Sequence, residues 1–175
     1  MNNQGFSLVE ILVSTAIFSV VMITAAGALL TTIDANHKAQ AIQSVMNNLN
    51  FALESMSRAI RVGDTYHCGS IGVLSEPRDC SSGDIFFAFK RSSDSKAVYY
   101  YLSGSQIVRG VNGEALAITA PEIMIENLKF YVQGAGVGSQ AQPRVTIVIR
   151  GYAGATAKIR TPFNLQTTLS QRMPK

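Results

Sequence analysis

The run Gly5-Phe6-Ser7-Leu8-Val9-Glu10 opens onto a segment, residues 11–33, that contains no Asp, Glu, Lys or Arg. As a helix rising about 1.5 Å per residue, that segment reaches roughly 35 Å, enough to cross a hydrocarbon core of about 30 Å. Three readings compete for it. A secretory signal peptide requires a positive n-region and small residues at the cut. Ala26-Gly27-Ala28 supplies small residues, but residues 1–10 hold no Lys or Arg and place an acid, Glu10, at the wrong end. A plain membrane anchor accounts for the apolar length and leaves Glu10 unexplained. The third reading starts from Glu10 itself: a carboxylate near lipid costs about 2–3 kcal/mol or more at the bilayer centre, so it needs a partner.

Helical periodicity continues beyond the apolar segment. Ile42, Val45, Met46, Leu49, Leu53, Met56 and Ile60 recur every three or four residues, an apolar stripe with Asn47, Asn50, Glu54, Arg58 and Arg61 mostly off it. Glu54 and Arg58 form an i,i+4 pair of favourable order. No proline interrupts residues 7–61, and Gly63-Asp64 is a stop signal. The expectation is one helix about 80 Å long, apolar all round in its first half and amphipathic in its second.

From residue 64 the period changes to two. Residues 64–84 read as a loop region with a short strand at Ile71–Leu74. Strands are expected at Ile85–Lys90, Ala97–Leu102, Gln106–Arg109, Ile123–Gln133 and Arg144–Tyr152. A further extended stretch covers Ala157–Gln171, which Pro162 confines to an edge or a bend. Consecutive strands without intervening helices indicate an antiparallel sheet, so the fold class is α+β.

A glycine, an aromatic, an acid four residues on and an uninterrupted apolar helix together resemble the N-terminal signature of type IV pilins and type II secretion pseudopilins. The resemblance implies cleavage by a prepilin peptidase between Gly5 and Phe6, and N-methylation of Phe6. It also implies that Glu10 meets the new amine of a neighbouring subunit. Glu10 lies one helical turn from that amine, at the positive end of the helix dipole. The implied organisation is a leader at 1–5, a transmembrane or filament-core helix at 6–33, an amphipathic continuation at 34–63 and an extracytoplasmic β-rich unit at 64–175. The leader Met1-Asn2-Asn3-Gln4-Gly5 lacks the Lys or Arg usual in the family, so orientation is weakly encoded by positive charge. Gly27 falls near the position where major pilins carry a helix-loosening proline. It reads equally as a soft point or as a close-packing glycine.

Asn48–Arg58 and Phe163–Arg172 are loosely similar to J-type minor pseudopilins and their minor-pilin relatives. Major pseudopilins bind calcium through acids in a C-terminal loop, and this chain has no Asp or Glu after Glu126. Asp79 and Asp84 could in principle hold a cation, but two acids in a Ser/Gly loop are usually solvated. The resemblance therefore implies a minor subunit of a pseudopilus or pilus, initiating or at the tip. Its partners would be the peptidase, other minor and major subunits and an inner-membrane assembly platform. The expected location is the bacterial cytoplasmic membrane, N-terminus inside, and then the filament. Alternatives are a major filament subunit, a DNA-binding competence pilin, or an anchored binding protein that forms no filament.

Residues 1–126 carry eight Lys/Arg and eleven Asp/Glu, a net −3, whereas residues 127–175 carry seven Lys/Arg and no acid, a net +7. Lys129, Arg144, Arg150, Lys158 and Arg160, with Tyr131 and Tyr152, are candidate contacts for an anionic partner. Side chains alternate along a strand, so one patch is not assured; the bland reading is a solvated face, and nucleic acid is not the expected partner. Cys68 and Cys80 form a disulfide if the unit lies outside the cytoplasm. His67 raises a metal site as a rival, but two thiols and one His make poor zinc spacing. His37 falls just past the apolar helix. Gly134-Ala135-Gly136-Val137-Gly138 lacks the Lys-Ser/Thr of a phosphate loop, and no Gly-x-Ser-x-Gly or His-Glu-x-x-His motif occurs. No catalytic residue, metal or cofactor is expected, and the chain reads as a non-enzyme.

Overall fold

Among the described residues, a single helix, α1, runs from Leu8 to Arg61 and is followed by nine strands. The structure is a computed structural model and describes residues 7–70, 73, 76–153 and 160–172. The chain divides into two compact units, Met1–Gln40 and Ala41–Lys175. In the first, every described side chain is exposed, including Ile11, Leu12, Ile17, Phe18 and Leu30. Serine and threonine do not interrupt the helix, because their hydroxyls bond back to its carbonyls. Thr15 Oγ1 donates to Ile11 O at 2.8 Å, and Thr31 Oγ1 to Gly27 O at 3.0 Å.

In the second unit, α1 buries Val45, Leu49, Ala52, Met56 and Ile60. The buried stripe is narrower than the sequence pattern suggests. Ile42 and Met46 remain exposed and Leu53 is half-buried, while Ala52 takes a core place. A small residue there lets the helix axis approach the sheet. The expected Glu54–Arg58 pair forms on the exposed side.

Two antiparallel sheets replace the one expected. The first contains β1 (Gly63–Cys68), β3 (Phe86–Arg91), β4 (Ala97–Ser103), β5 (Gln106–Val111) and β6 (Glu114–Ala117), in the order β1-β3-β4-β5-β6. The second contains β2 (Cys80–Asp84), β7 (Ile123–Gln133), β8 (Arg144–Ala153) and β9 (Thr161–Ser170), in the order β2-β7-β8-β9. The stretch read as a loop, 64–84, thus supplies an edge strand to each sheet. β1 escapes a period-two reading because its register shifts between Asp64 and His67, with Thr65 at φ 55°, so Tyr66, His67 and Cys68 are buried in succession. The strand expected at Ile71–Leu74 lies outside the described residues, Val73 excepted. β6 was not expected: it is four residues long and wholly exposed, so it has no alternating pattern to read.

One core joins α1 to both sheets. Leu49, Met56 and Ile60 cluster with Phe87, Phe89 and Tyr100 of the first sheet and with Leu128, Phe130, Ile147 and Ile149 of the second. Phe87 and Phe130 stack across the sheets with ring centroids 5.4 Å apart. Polar ties fix the helix end: Tyr66 Oη donates to Ile60 O at 2.6 Å, and Arg172 N to Arg61 O at 2.8 Å.

Candidate functional site

Ser7 caps α1, its Oγ accepting the Glu10 N–H at 3.2 Å. Ser7-Leu8-Val9-Glu10 has the spacing of a capping box, and that spacing is the sequence signal that finds this cap. Glu10 therefore lies in the first turn, where the helix dipole favours a negative charge. Its carboxylate is exposed and has no hydrogen bond or ion pair among the described residues. Gly5 and Phe6, the expected cleavage and methylation positions, lie outside the described residues.

Gly27 sits within unbroken helix, and a Cβ placed on it would meet nothing within 4 Å. The helix of its own unit leaves that position open. Thr31 and Thr32 bond back to the carbonyls of Gly27 and Ala28 at 3.0 and 2.9 Å, an arrangement that loosens the helical ladder slightly. His37 lies on the exposed helix.

Cys68 and Cys80 are disulfide-bonded, with Cα atoms 5.8 Å apart. The bond fastens β1 of one sheet to β2 of the other. Around it, Cys68 N donates to Arg78 O at 3.1 Å, Arg78 N to Tyr66 O at 2.9 Å, and His67 Nδ1 contacts Glu76 O at 2.8 Å. His67 is buried within this seam. The aspartates of the cysteine loop have structural partners. Asp79 accepts the N–H groups of Gly134 and Ala135 at 3.0 and 2.8 Å, clamping the start of the glycine-rich loop, and Asp84 Oδ1 accepts the Phe86 N–H at 3.1 Å.

The basic residues share a face more fully than alternation alone suggested. Leu128, Phe130, Val132, Val145, Ile147 and Ile149 point inward, so Lys129, Tyr131, Arg144, Arg150 and Tyr152 occupy the outer face of β7 and β8. Arg144 and Arg150 are exposed but six residues apart along one strand, about 20 Å. Arg144 donates to Gln133 Oε1 at 3.3 Å, and the Arg160 guanidinium lies 4.0 Å from the Tyr152 ring centroid. Lys158 lies outside the described residues.

One long N-terminal helix followed by antiparallel sheets, with a terminal segment long and apolar enough to cross a membrane, is the α+β architecture of a pilin-like protein. Residues 1–26 match the family described as the prokaryotic N-terminal methylation motif. The match is confined to the apolar N-terminal segment and supports a pilin-type N-terminus of the kind a prepilin peptidase processes. No curated protein and no solved structure matches the chain significantly.

Proposed function

We propose that the chain is a minor, non-enzymatic subunit of a type II secretion pseudopilus or a type IV pilus, acting at initiation or at the tip. Its N-terminus lies in the cytoplasm and the Ala41–Lys175 unit outside the membrane. The observation that carries this reading is Glu10: an ionically unpartnered carboxylate in the Ser7-capped first turn of an apolar helix, inside the matched methylation motif. Peptidase cleavage after Gly5 frees an amine one turn away. Two subunits offset by a filament step then satisfy both charges, each of which is costly alone beside lipid. The minor assignment is supported by the lack of any acid after Glu126, which denies the C-terminal loop a calcium site.

The test is incorporation. Glu10→Ala should insert into the membrane at the wild-type level yet be depleted from sheared filaments, whereas Glu54→Ala, on the exposed face of α1, should assemble normally. Wild-type levels of Glu10→Ala in filaments would refute the pairing role.

A further inference from the structure

Among the described residues the two sheets leave four edge strands, and three are dealt with. β1 is fastened to β2 by the Cys68–Cys80 bond, and to the segment just before β2 by the parallel bridge between His67 and Arg78. β6 is four residues long and carries Glu114. The fourth, β9, has none of the usual protection of an exposed edge, which is shortness, charge or a bulge. It is ten residues long, Thr-Pro-Phe-Asn-Leu-Gln-Thr-Thr-Leu-Ser, without a charged residue. Its register with β8 is unbroken from Arg144↔Ser170 to Ala153↔Thr161. Only Pro162 blunts it, at one end. Among the described residues, no backbone group from Pro162 to Ser170 is bonded to anything but β8. Roughly half of the strand's N–H and C=O groups therefore face outward.

The surroundings of this edge specify what would pair with it. On the inner side, Phe163 and Leu165 are only half-buried and line a groove of about 270 Å³ with Ile42, Val45 and Met46. On the outer side, Arg150 lies opposite Asn164 and Arg144 opposite Ser170, both exposed and without an ion-pair partner among the described residues. A strand laid beside β9 would run about 10 Å from β8, within reach of long side chains.

We propose that β9 is a strand-addition site for an extended segment of another polypeptide, with apolar side chains turned to the groove and carboxylates turned to Arg144 and Arg150. Main-chain hydrogen bonds hold such a segment, and the alternating side chains select it. This surface belongs wholly to the Ala41–Lys175 unit, so the processing and Glu10 tests can fail while it stands, and the reverse.

The test uses the full chain in neutral detergent and two synthetic ten-residue peptides, one alternating valine with glutamate and one alternating valine with lysine. The glutamate peptide should bind, slow hydrogen exchange at outward-facing amides of residues 163–170, and weaken as salt is raised. Exchanging its glutamates for lysines, or using the Arg144→Gln/Arg150→Gln protein, should each cost about tenfold in affinity. Both substitutions are on exposed positions and leave the core intact. Equal binding of the two peptides, or binding without protection of β9, overturns the proposal. So do outward amides that are already slow before peptide is added, and a homodimer through β9 that excludes the peptide. A single-stranded oligonucleotide that binds the same two arginines while the glutamate peptide does not would assign this face to nucleic acid instead.

Discussion

At the scale of single residues, two buried tyrosines with opposite circumstances separate a hydrogen bond from mere burial. Tyr66 Oη donates to the Ile60 carbonyl, whereas Tyr100 Oη is buried without a partner among the described residues. Removing the first hydroxyl leaves a buried carbonyl unmet, so Tyr66→Phe should cost about 1–2 kcal/mol; Tyr100→Phe should be neutral or slightly stabilising, within about 1 kcal/mol. Urea unfolding of both variants measures this. Both phenols are pushed above the ordinary tyrosine value, chiefly by burial. The Asp64 carboxylate adds to the rise at Tyr66, and Arg109 and Arg91 oppose it at Tyr100. Below about pH 10 the phenols are protonated in both folded and unfolded chains and add no pH dependence. Above it the unfolded chain loses protons first, so stability falls as pH rises towards the folded values. Tyr66→Phe should remove part of that alkaline slope, as thermal melts between pH 8 and 11 would record. Gly151 is the third such residue. A Cβ there would strike the Met124 carbonyl, where β7 shifts register between Ile125 and Asn127, and backbone cannot swing aside as a side chain does. Gly151→Ala should cost about 1–3 kcal/mol.

At the scale of elements, α1 and the β1–β2 seam carry the testable load. Met56 is fully buried and Met46 is 41% exposed, though both sit on the stripe seen in sequence. Met56→Ala should cost about 2–5 kcal/mol, while Met46→Ala should cost well under half of that. The difference arises because the helix face contacts the sheets over a narrower arc than its apolar pattern. The disulfide closes a loop with a sequence separation of 12 residues. The chain-entropy relation puts its contribution at roughly 3 kcal/mol, and reduction should lower the melting temperature accordingly. Thiol labelling of the unreduced folded protein should find neither cysteine reactive.

At the scale of the whole molecule, all buried hydrophobic residues among those described lie from Val45 onward. The fragment Ala41–Lys175 should therefore fold in water without detergent and melt cooperatively, close to the full chain, as circular dichroism would show. An aggregated or non-cooperative fragment would mean that the first forty residues contribute to the fold itself. Mature protein isolated from cells should weigh Phe6–Lys175 plus one methyl group. A chain starting after Ala28 would instead mean that the apolar segment is a removed signal.

Much of this was legible before any coordinates. The helix, its extent, the placement of Glu10 and the strands with period-two alternation, above all Arg144–Tyr152 and, apart from its register shift between Ile125 and Asn127, Ile123–Gln133, follow from the order of residues along the chain. Helical and strand periods are local properties: three or four successive positions decide which face is apolar. The Ser7 cap was equally local and needed only the spacing to Glu10. Tertiary structure alone decided the division into two sheets, the conversion of residues 63–68 and 80–84 into edge strands, and the gathering of Lys129, Arg144 and Arg150 on one face. It alone left the outward edge of Pro162–Ser170 without a neighbouring strand among the described residues. These depend on which distant segments pair, and in what register. That choice is made by burying a common core and closing long loops, and it leaves no period in the sequence to read.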